Sequence, residues 1–270
     1  MNKKPLKHLV ILIKGAGEMG TGVASRLFGA NLRNILMLES ACPLAVRRRV
    51  SFCEAVHDHT MEVEGIEAVK VSEGHEVIEA WGAGKIAVRV DPNWESIREF
   101  QPDVLVDAIL AKQNLGASIS DAFLVVALGP GFVAGRDCHV VVETNRGHNL
   151  GRLITKGTAD ANTGIPGAIG GYTKERVLRS PADGCFIAEK RLGSVVRKGD
   201  VVGRVGHAEV TAQIDGIVRG LIRPNSPVTT GLKIGDIDPR GNEDYCATIS
   251  DKARALGGAV LEAILGAYNR

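Results

Sequence analysis

The sequence predicts an α/β protein in which a doubly wound, mostly parallel sheet is followed by a small all-β domain and a C-terminal helix. Three observations lead to this prediction. Short, nearly continuous apolar runs alternate with helical stretches through the first half, as in buried parallel strands. A glycine-rich turn follows the first run, and the chain repeats itself internally between residues 180 and 240. The expected domains are residues 1–175, 176–240 and 241–270.

The first apolar run, Leu9–Ile13, leads through Lys14 into the G-x-G-x-x-G pattern Gly15–Gly20, and a helix is predicted from Glu18 to Phe28. The first glycine of such a pattern permits a sharp turn, the second lets a pyrophosphate approach the backbone, and the third lets the helix pack on the strand. The N-terminus of the helix attracts an anion. We therefore expect a Rossmann-like, nucleotide-binding first domain. The alternative is that the glycines serve packing alone.

A second apolar run, Ile35–Leu38, ends in Glu39, at the spacing from Gly20 where an acid bonds a ribose 2′-hydroxyl. This arrangement predicts NAD as a cofactor. Arg47–Arg49 follow closely and would also accommodate the extra phosphate of NADP. Because adjacent residues of a helix point in different directions, at most two of the three arginines would serve one ligand. The alternative is that they form a solvated face.

Three more apolar runs are predicted strands: Val104–Ile109, Phe123–Leu128 and His139–Val142. Ligands of parallel sheets collect beyond the carboxyl ends of the strands, so we take the site residues from those ends. The predicted cofactor-binding residues are Lys14, Gly15, Gly17, Glu18, Met19, Gly20, Glu39, Asn114, Gly129, Gly131 and Arg146.

Four residues are candidates for chemistry. Asp107 lies inside an apolar run, and a buried carboxylate needs a partner or a function. Lys112 is a candidate partner, and His148 is either a proton carrier or a surface histidine. Cys42 precedes a run of arginines that would lower the pKa of its thiol, so it is the candidate for sulfur or selenium transfer.

Two further patterns concern local structure. His57 and His59 share a face if that segment is extended, but their spacing matches no closed zinc pattern, and no metal site is predicted. Asp91 and Pro92 resemble an N-cap and a first helical position, which predicts a helix starting there.

Composition excludes several function classes. The chain has 270 residues, a net charge of +2 and 24% charged residues, so neither nucleic acid nor an anionic membrane is an expected partner. No apolar stretch approaches the ~20 residues of a membrane span, and no export signal is recognised. The five cysteines are widely spaced, which favours reduced thiols and a cytoplasmic location. The C-terminal helix, Ser250–Tyr268, carries an apolar stripe that buries against the first domain or a partner subunit, and we expect a homo-oligomer.

In the repeat, Asp183-Gly184 recurs as Asp215-Gly216 and Gly199 as Gly231, without a gap. This layout resembles the barrel-sandwich domains of biotinyl and lipoyl carriers, whose modified lysine lies on the hairpin between the halves. Here that hairpin, Gly206–Glu209, contains no lysine, so a carrier role is not expected. What remains resembles the version appended to aspartoacylase-type hydrolases, although residues 1–175 offer no zinc ligands for such an enzyme.

Several longer stretches resemble the accessory family of selenium-dependent molybdenum hydroxylases, sometimes called the YqeB family. They include KGAGEMGTGVA, PLAVRRRVSFCEAV, VDAILAKQN, ALGPGFVAG, VVETNRGHNLGR, KIGDIDPRG and SDKARALGGAVLEAIL. The first part is also similar to the Rossmann part of XdhC-type molybdenum cofactor insertion proteins. The resemblance implies a maturation factor that binds a dinucleotide or a molybdopterin nucleotide (the molybdenum cofactor). Its implied partners are a molybdenum hydroxylase or the maturation proteins of that enzyme. The alternative from the residues is an NAD(P)-dependent oxidoreductase acting on a small molecule.

Overall fold

A computed structural model describes residues 4–269 of the chain. These residues form two compact units, and each is described by itself. The first contains residues 4–43, 51–162 and 249–269, and the second contains residues 44–50 and 163–248. Residues 44–50 belong to the second unit because they bond within it; Leu221 N, for example, donates to Val46 O at 2.8 Å. The division at residues 175 and 240 stays a prediction.

The first unit is built on a nine-stranded mixed sheet in the order β3-β4-β5-β2-β1-β6-β7-β8-β9. The strands from β4 to β8 in this order run parallel, and the two edge strands, β3 and β9, run antiparallel to their neighbours. The strands are β1 (Ile11–Lys14), β2 (Ile35–Glu39), β3 (Thr60–Val63), β4 (Ile66–Val71), β5 (Ile86–Val90), β6 (Val104–Asp107), β7 (Leu124–Leu128), β8 (Val140–Val142) and β9 (Leu153–Ile154).

Five α-helices accompany this sheet among the described residues. They are α1 (Glu18–Gly29), α2 (Ala55–Asp58), α3 (Gly74–Gly82), α4 (Ser96–Phe100) and α5 (Asp251–Tyr268). None of them has both the length and the apolar composition that crossing a bilayer requires. Helices α1 and α5 pack on each other, and α5 also contacts β7 and β8, so the apolar stripe of α5 is buried within this unit.

The predicted doubly wound, Rossmann-like sheet is wrong as a description of this unit. Antiparallel strands close both edges of the sheet. In addition, the crossovers from β6 to β7 and from β7 to β8 contain no α-helix, so a complete helical layer does not cover each face. The apolar runs located the strands correctly, but they carry no information about whether the polar segments between them become helices or loops.

The second unit contains two four-stranded antiparallel sheets, in the orders β10-β17-β15-β12 and β14-β13-β11-β16. The strands are β10 (Val177–Arg179), β11 (Gly184–Ala188), β12 (Val195–Val196), β13 (Val201–Val205), β14 (Ala208–Thr211), β15 (Gly216–Leu221), β16 (Pro227–Val228) and β17 (Lys233–Asp238).

The internal repeat appears in this unit as equivalent strands: β11, β12 and β13 in the first half correspond to β15, β16 and β17 in the second. The halves exchange their shortest strands, since β16 pairs with β11 and β12 pairs with β15. The predicted barrel-sandwich is corrected to this pair of separate antiparallel sheets. At the same offset β10 corresponds to β14, and each of these two strands forms an edge of its sheet.

Candidate functional site

The glycine loop, which we define as residues 15–17, connects the carboxyl end of β1 to helix α1. Gly15 has a φ of +89°, where a side chain would be strained, and its N–H donates to Leu38 O at 2.8 Å. A Cβ at Gly15 would lie 3.2 Å from the carbonyl of Ala108, which follows β6. The loop is thus held between the ends of β2 and β6, in the middle of the sheet.

Gly17 and Gly20 face different surroundings. A Cβ at Gly20 would collide with the backbone oxygen of Gly15, so this glycine is required for packing α1 against the loop. A Cβ at Gly17 would meet no protein atom within 4 Å, and Gly17 has an ordinary extended φ of −70°. Packing therefore explains Gly20 but leaves the absence of a side chain at Gly17 unexplained.

Helix α1 begins at Glu18 with Gly17 as its N-cap, and no side chain caps it. The first N–H groups of any helix lack intrahelical partners and lie at the positive end of its dipole. Glu18 and Met19 are half-buried in this first turn. The arrangement is suited to an anion that approaches over Gly17.

Glu39 braces the loop. Its Oε2 accepts the N–H of Ala16 at 2.9 Å, and its Oε1 accepts the N–H of Ser40 at 2.8 Å. A carboxylate has about four acceptor positions, so these two bonds leave capacity for a hydroxyl donor. The predicted role of Glu39 on a ribose stays a prediction, and the bond to Ala16 is an additional role.

The segment after Ser51 also forms hydrogen bonds that hold the glycine loop. The hydroxyl of Thr21 donates to Ala16 O at 3.1 Å and accepts the N–H of Phe52 at 2.8 Å. The N–H of Cys53 also donates to Ala16 O, at 2.8 Å. These bonds fix the loop in one conformation. Thr21 and Cys53 are not among the site residues predicted from the sequence.

Lys14 and Asp107 form the most unusual feature at the carboxyl ends of the parallel strands. They are register partners at the ends of the neighbouring strands β1 and β6, and their side chains are 0% and 2% exposed. Lys14 Nζ and Asp107 Oδ2 have no hydrogen-bond partner among the described residues. Lys14 Nζ instead lies 3.7 Å from the centre of the Trp94 ring. Buried polar groups are normally hydrogen-bonded, so two adjacent exceptions indicate a functional position.

Burial shifts the pKa values of both Lys14 and Asp107. Burial lowers the pKa of Lys14 from its ordinary value of 10.5, and the negative charges of Asp107 and Asp121 oppose this shift. Burial raises the pKa of Asp107, while the N–H of Ile109 and the charge of Lys14 lower it. Burial also raises the pKa of the Cys138 thiol to about 12. Perturbed pairs of this kind are enriched at functional sites.

Trp94 was not predicted as a site residue. It lies in the turn after β5, has a left-handed φ of 59°, and would be 3.0 Å from a Cβ at Gly116. Leu110 and Lys112, in the loop after β6, are also left-handed. Bulky residues rarely adopt this conformation, and such strain concentrates at ligand sites. The only sequence signal for Trp94 is that it is one of two tryptophans in a chain with 4% aromatic residues.

The other residues predicted at the carboxyl ends of the strands mostly bond or pack within the loops there. Asn114 Oδ1 accepts the N–H groups of Gly116 and Ala117. A Cβ at Gly131 would lie 2.5 Å from Gln113 N, and one at Gly129 would lie 2.6 Å from Thr144 Oγ1. Gly131 permits close packing of the loops after β6 and β7, and Gly129 permits close packing of the loops after β7 and β8. Their predicted contact with a cofactor stays a prediction.

Arg146 and the remaining catalytic candidates make no contact with the glycine loop among the contacts described. Arg146 makes two bonds to Asp251, at 2.6 and 2.8 Å, in the first turn of α5. Lys112, His148 and Cys42 are exposed in loops. The structure brings none of these three together with Lys14 and Asp107 in a recorded contact.

The three consecutive arginines bond to backbone carbonyls of the second unit. Arg47 donates to Tyr245 O and Thr248 O, Arg48 to Leu221 O, and Arg49 to Leu192 O. These contacts give the arginines a structural role within the second unit, where Arg47 is buried and Arg49 is exposed. The segment around His57 and His59 is not extended: α2 ends at Asp58, and His57 Nε2 lies 3.1 Å from Pro43 O.

Comparison with known proteins identifies one curated relative. The chain is 47% identical over 261 residues to the uncharacterized protein YqeB of Escherichia coli K12, covering 97% of this chain and 48% of that protein. The chain therefore spans about half the length of the curated relative it matches. No protein-family model matches it.

Solved structures resemble the chain only weakly. An aspartoacylase family protein from Mesorhizobium loti is 15% identical, with a TM-score of 0.27, and the match covers 85% of this chain and 84% of that one. The structure of TcdA (CsdL) is 11% identical, with a TM-score of 0.32, covering 98% and 90%. Similarities this low carry no argument about activity.

One expectation about the first part of the chain is corrected. The first part of the chain was expected to be similar to XdhC-type molybdenum cofactor insertion proteins. The aspartoacylase and succinylglutamate desuccinylase type recurs among the matched structures instead. The mixed sheet, with antiparallel strands at both edges, leaves the Rossmann and cofactor-insertion likeness unsupported.

Proposed function

Because this chain is a YqeB-family protein, homologous to YqeB over 97% of its length, we propose that it is an accessory factor in the maturation of a selenium-dependent molybdenum hydroxylase. In this role it binds a pyrophosphate-bearing nucleotide cofactor at the glycine loop. The sequence resemblance supports the link to a hydroxylase. The geometry of the loop supports the binding of a nucleotide cofactor.

The observation that carries the binding proposal is the open surface over Gly17. The loop is fixed by bonds from Ala16 to Glu39, Thr21 and Cys53, so its backbone is preorganised. Next to it, α1 begins without a side-chain cap, and no protein atom lies where a side chain at Gly17 would be. A pyrophosphate fits this space because it needs backbone N–H donors and the positive end of a helix dipole.

The identity of the cofactor follows from what the candidates share. NAD, NADP and the nucleotide form of the molybdenum cofactor all present a pyrophosphate followed by a ribose. Glu39, at the end of the neighbouring strand, retains acceptor positions for a ribose hydroxyl. The proposed partners are the hydroxylase itself or other maturation proteins of that enzyme.

The test of binding is a titration with NAD(H), NADP(H), CTP and molybdenum cofactor, comparing wild type with Gly17→Val. Gly17 has an extended backbone and free space around it, so valine is accommodated at a cost of about 1 kcal/mol of capping. We expect valine to weaken binding about 10- to 100-fold, because one or two charge-assisted bonds are lost.

The matched control is Gly29→Val, at the far end of the same helix, where a side chain also meets no atom within 4 Å. It should leave the affinity unchanged. Equal affinity of wild type and Gly17→Val for every nucleotide would overturn the proposed site. Turnover of NAD(P)H with a small-molecule substrate would favour the oxidoreductase instead of the maturation factor.

The maturation role is tested in a deletion strain of the native host. We expect loss of selenium-dependent hydroxylase activity, restored by wild type and Gly29→Val but not by Gly17→Val. Cys42→Ser should also restore activity, since the structure gives this exposed thiol no contact with the loop. Normal hydroxylase activity in the deletion strain refutes the role.

A further inference from the structure

We propose that Lys14, Asp107 and Trp94 form the part of the site that recognises the ring of the cofactor. The inferred ligand class is a planar ring whose edge carries a hydrogen-bond donor next to an acceptor, as in a lactam, a carboxamide or an amidine. This inference rests on the proposed function and extends it from the phosphate end of the ligand to its ring.

Two polar atoms, Lys14 Nζ and Asp107 Oδ2, are buried together without hydrogen-bond partners among the described residues. Lys14 Nζ offers only donors, and Asp107 Oδ2 is the oxygen left over when Oδ1 accepts the N–H of Ile109. The two residues are paired across β1 and β6, so their side chains lie on the same face of the sheet. An ion pair closer than 4.0 Å is not formed between them in the described structure. A group inserted at this point would satisfy both atoms.

Only some chemical groups satisfy both atoms. A phosphate would accept from Lys14, but it would be repelled by the carboxylate of Asp107 and of the nearby Asp121. An adjacent acceptor and donor on one ring edge meet the two atoms at once, because the acceptor takes the Lys14 N–H and the donor serves Asp107 Oδ2. The charge pattern therefore favours a ring edge over a second phosphate.

The position of Trp94 indicates the shape of the group that fits over Lys14. Its indole covers Lys14 Nζ at 3.7 Å, so a flat aromatic ring already occupies the place over the amine. The residue is held there with a left-handed φ of 59°, against Gly116. A planar ligand takes the place of the indole over Lys14 when the Trp94 side chain moves aside. Lys14 directly precedes Gly15, which links this position to the phosphate end.

The test compares inosine 5′-diphosphate with purine riboside 5′-diphosphate. Both carry the same diphosphate, but purine riboside lacks the carbonyl and the adjacent N–H. We expect wild type to bind the inosine compound about tenfold more tightly, the effect of roughly one charge-assisted hydrogen bond. Lys14→Met, an apolar side chain of similar length, should remove this preference. The exposed Lys156→Met should retain it.

A second readout reports on Trp94 directly. The chain has two tryptophans, so Trp81→Phe leaves Trp94 as the single indole. Its fluorescence should change on addition of inosine diphosphate, and purine riboside diphosphate at equal occupancy should change it less. Fluorescence that does not respond to bound inosine diphosphate would show that the indole stays in place, which contradicts the inference.

The outcomes separate this inference from the proposed function. If both diphosphates bind equally in wild type and Gly17→Val weakens both, the phosphate site stands and the ring site is overturned. If a preference exists but survives in Lys14→Met, the ring is recognised elsewhere and the inference is again overturned. Failure of both diphosphates to bind also overturns it, while the titration with NAD(H) and CTP still decides the proposed function.

Discussion

Lys14 is the residue whose burial most needs an explanation. Its amine is removed from water, has no hydrogen-bond partner among the described residues, and is covered by Trp94. Burying a polar group without a compensating bond costs about 1–3 kcal/mol in proteins. A chain that keeps such a group at the end of a central strand gives up stability there, which is common at functional sites.

The free-energy cost of burying the Lys14 amine predicts that the stability of the fold depends on pH. In an Asp107→Asn background, which removes the larger of the two carboxylate effects on Lys14 and leaves that of Asp121, we expect Lys14→Met to raise the free energy of unfolding by about 1–3 kcal/mol at pH 7. The pKa of Lys14 is lowered in the fold, so the unfolded chain binds more protons and the folded lysine becomes less unfavourable as pH rises. The gain should therefore shrink as pH approaches 10.5, the ordinary pKa of lysine.

Chemical denaturation at several pH values measures this gain. Lys156→Met in the same background is the control, because that lysine is exposed and should contribute nothing comparable. A gain that is absent at pH 7, or that grows with pH, would contradict the account of Lys14 as a buried amine without a hydrogen-bond partner among the described residues.

Helices α1 and α5 depend on a close crossing. A Cβ at Gly22 would lie 2.7 Å from Ala253 Cβ, and one at Gly257 would lie 2.5 Å from Gly22 O. Helix α5 begins as the sequence predicts: Ser250 Oγ accepts the N–H of Ala253 at 3.3 Å. The crossing holds the helix that presents its N-terminus at the glycine loop.

The crossing predicts opposite effects for two adjacent glycines. Gly257→Ala should lower the free energy of unfolding by about 1–3 kcal/mol, because the backbone of Gly22 cannot move aside cheaply. Gly258→Ala has free space around its Cβ and should raise it by about 0.5–1 kcal/mol through helix propensity. Thermal or chemical unfolding measures both, and equal effects at the two positions would show that α1 and α5 do not pack this closely.

Across the whole molecule, the sequence predicts the features that depend on residues close together in the chain. The glycine pattern predicted the turn and helix α1, and Ser250 predicted the start of α5. The apolar runs predicted the strands. Whether the segments after β6 and β7 become helices depends on tertiary packing, and the doubly wound sheet was predicted wrongly for that reason.

The same limit applies to the candidate site. Asp91 and Pro92 were expected to begin a helix, but α4 begins at Ser96, and Asp91 instead accepts the N–H groups of Glu95 and Ser96. The turn between them is what brings Trp94 over Lys14. Lys14 and Asp107 were named from the sequence, but their register pairing across β1 and β6 required the structure.

The central claim is that the open surface over Gly17 holds a pyrophosphate-bearing nucleotide. The most direct measurement is to purify the protein from its native host under non-denaturing conditions and identify the small molecules it retains by mass spectrometry. The account predicts a near-stoichiometric nucleotide with a pyrophosphate in wild type and Gly29→Val, and its loss in Gly17→Val. The same molecule at equal occupancy in all three proteins, or no phosphate-bearing molecule in any of them, would contradict the account.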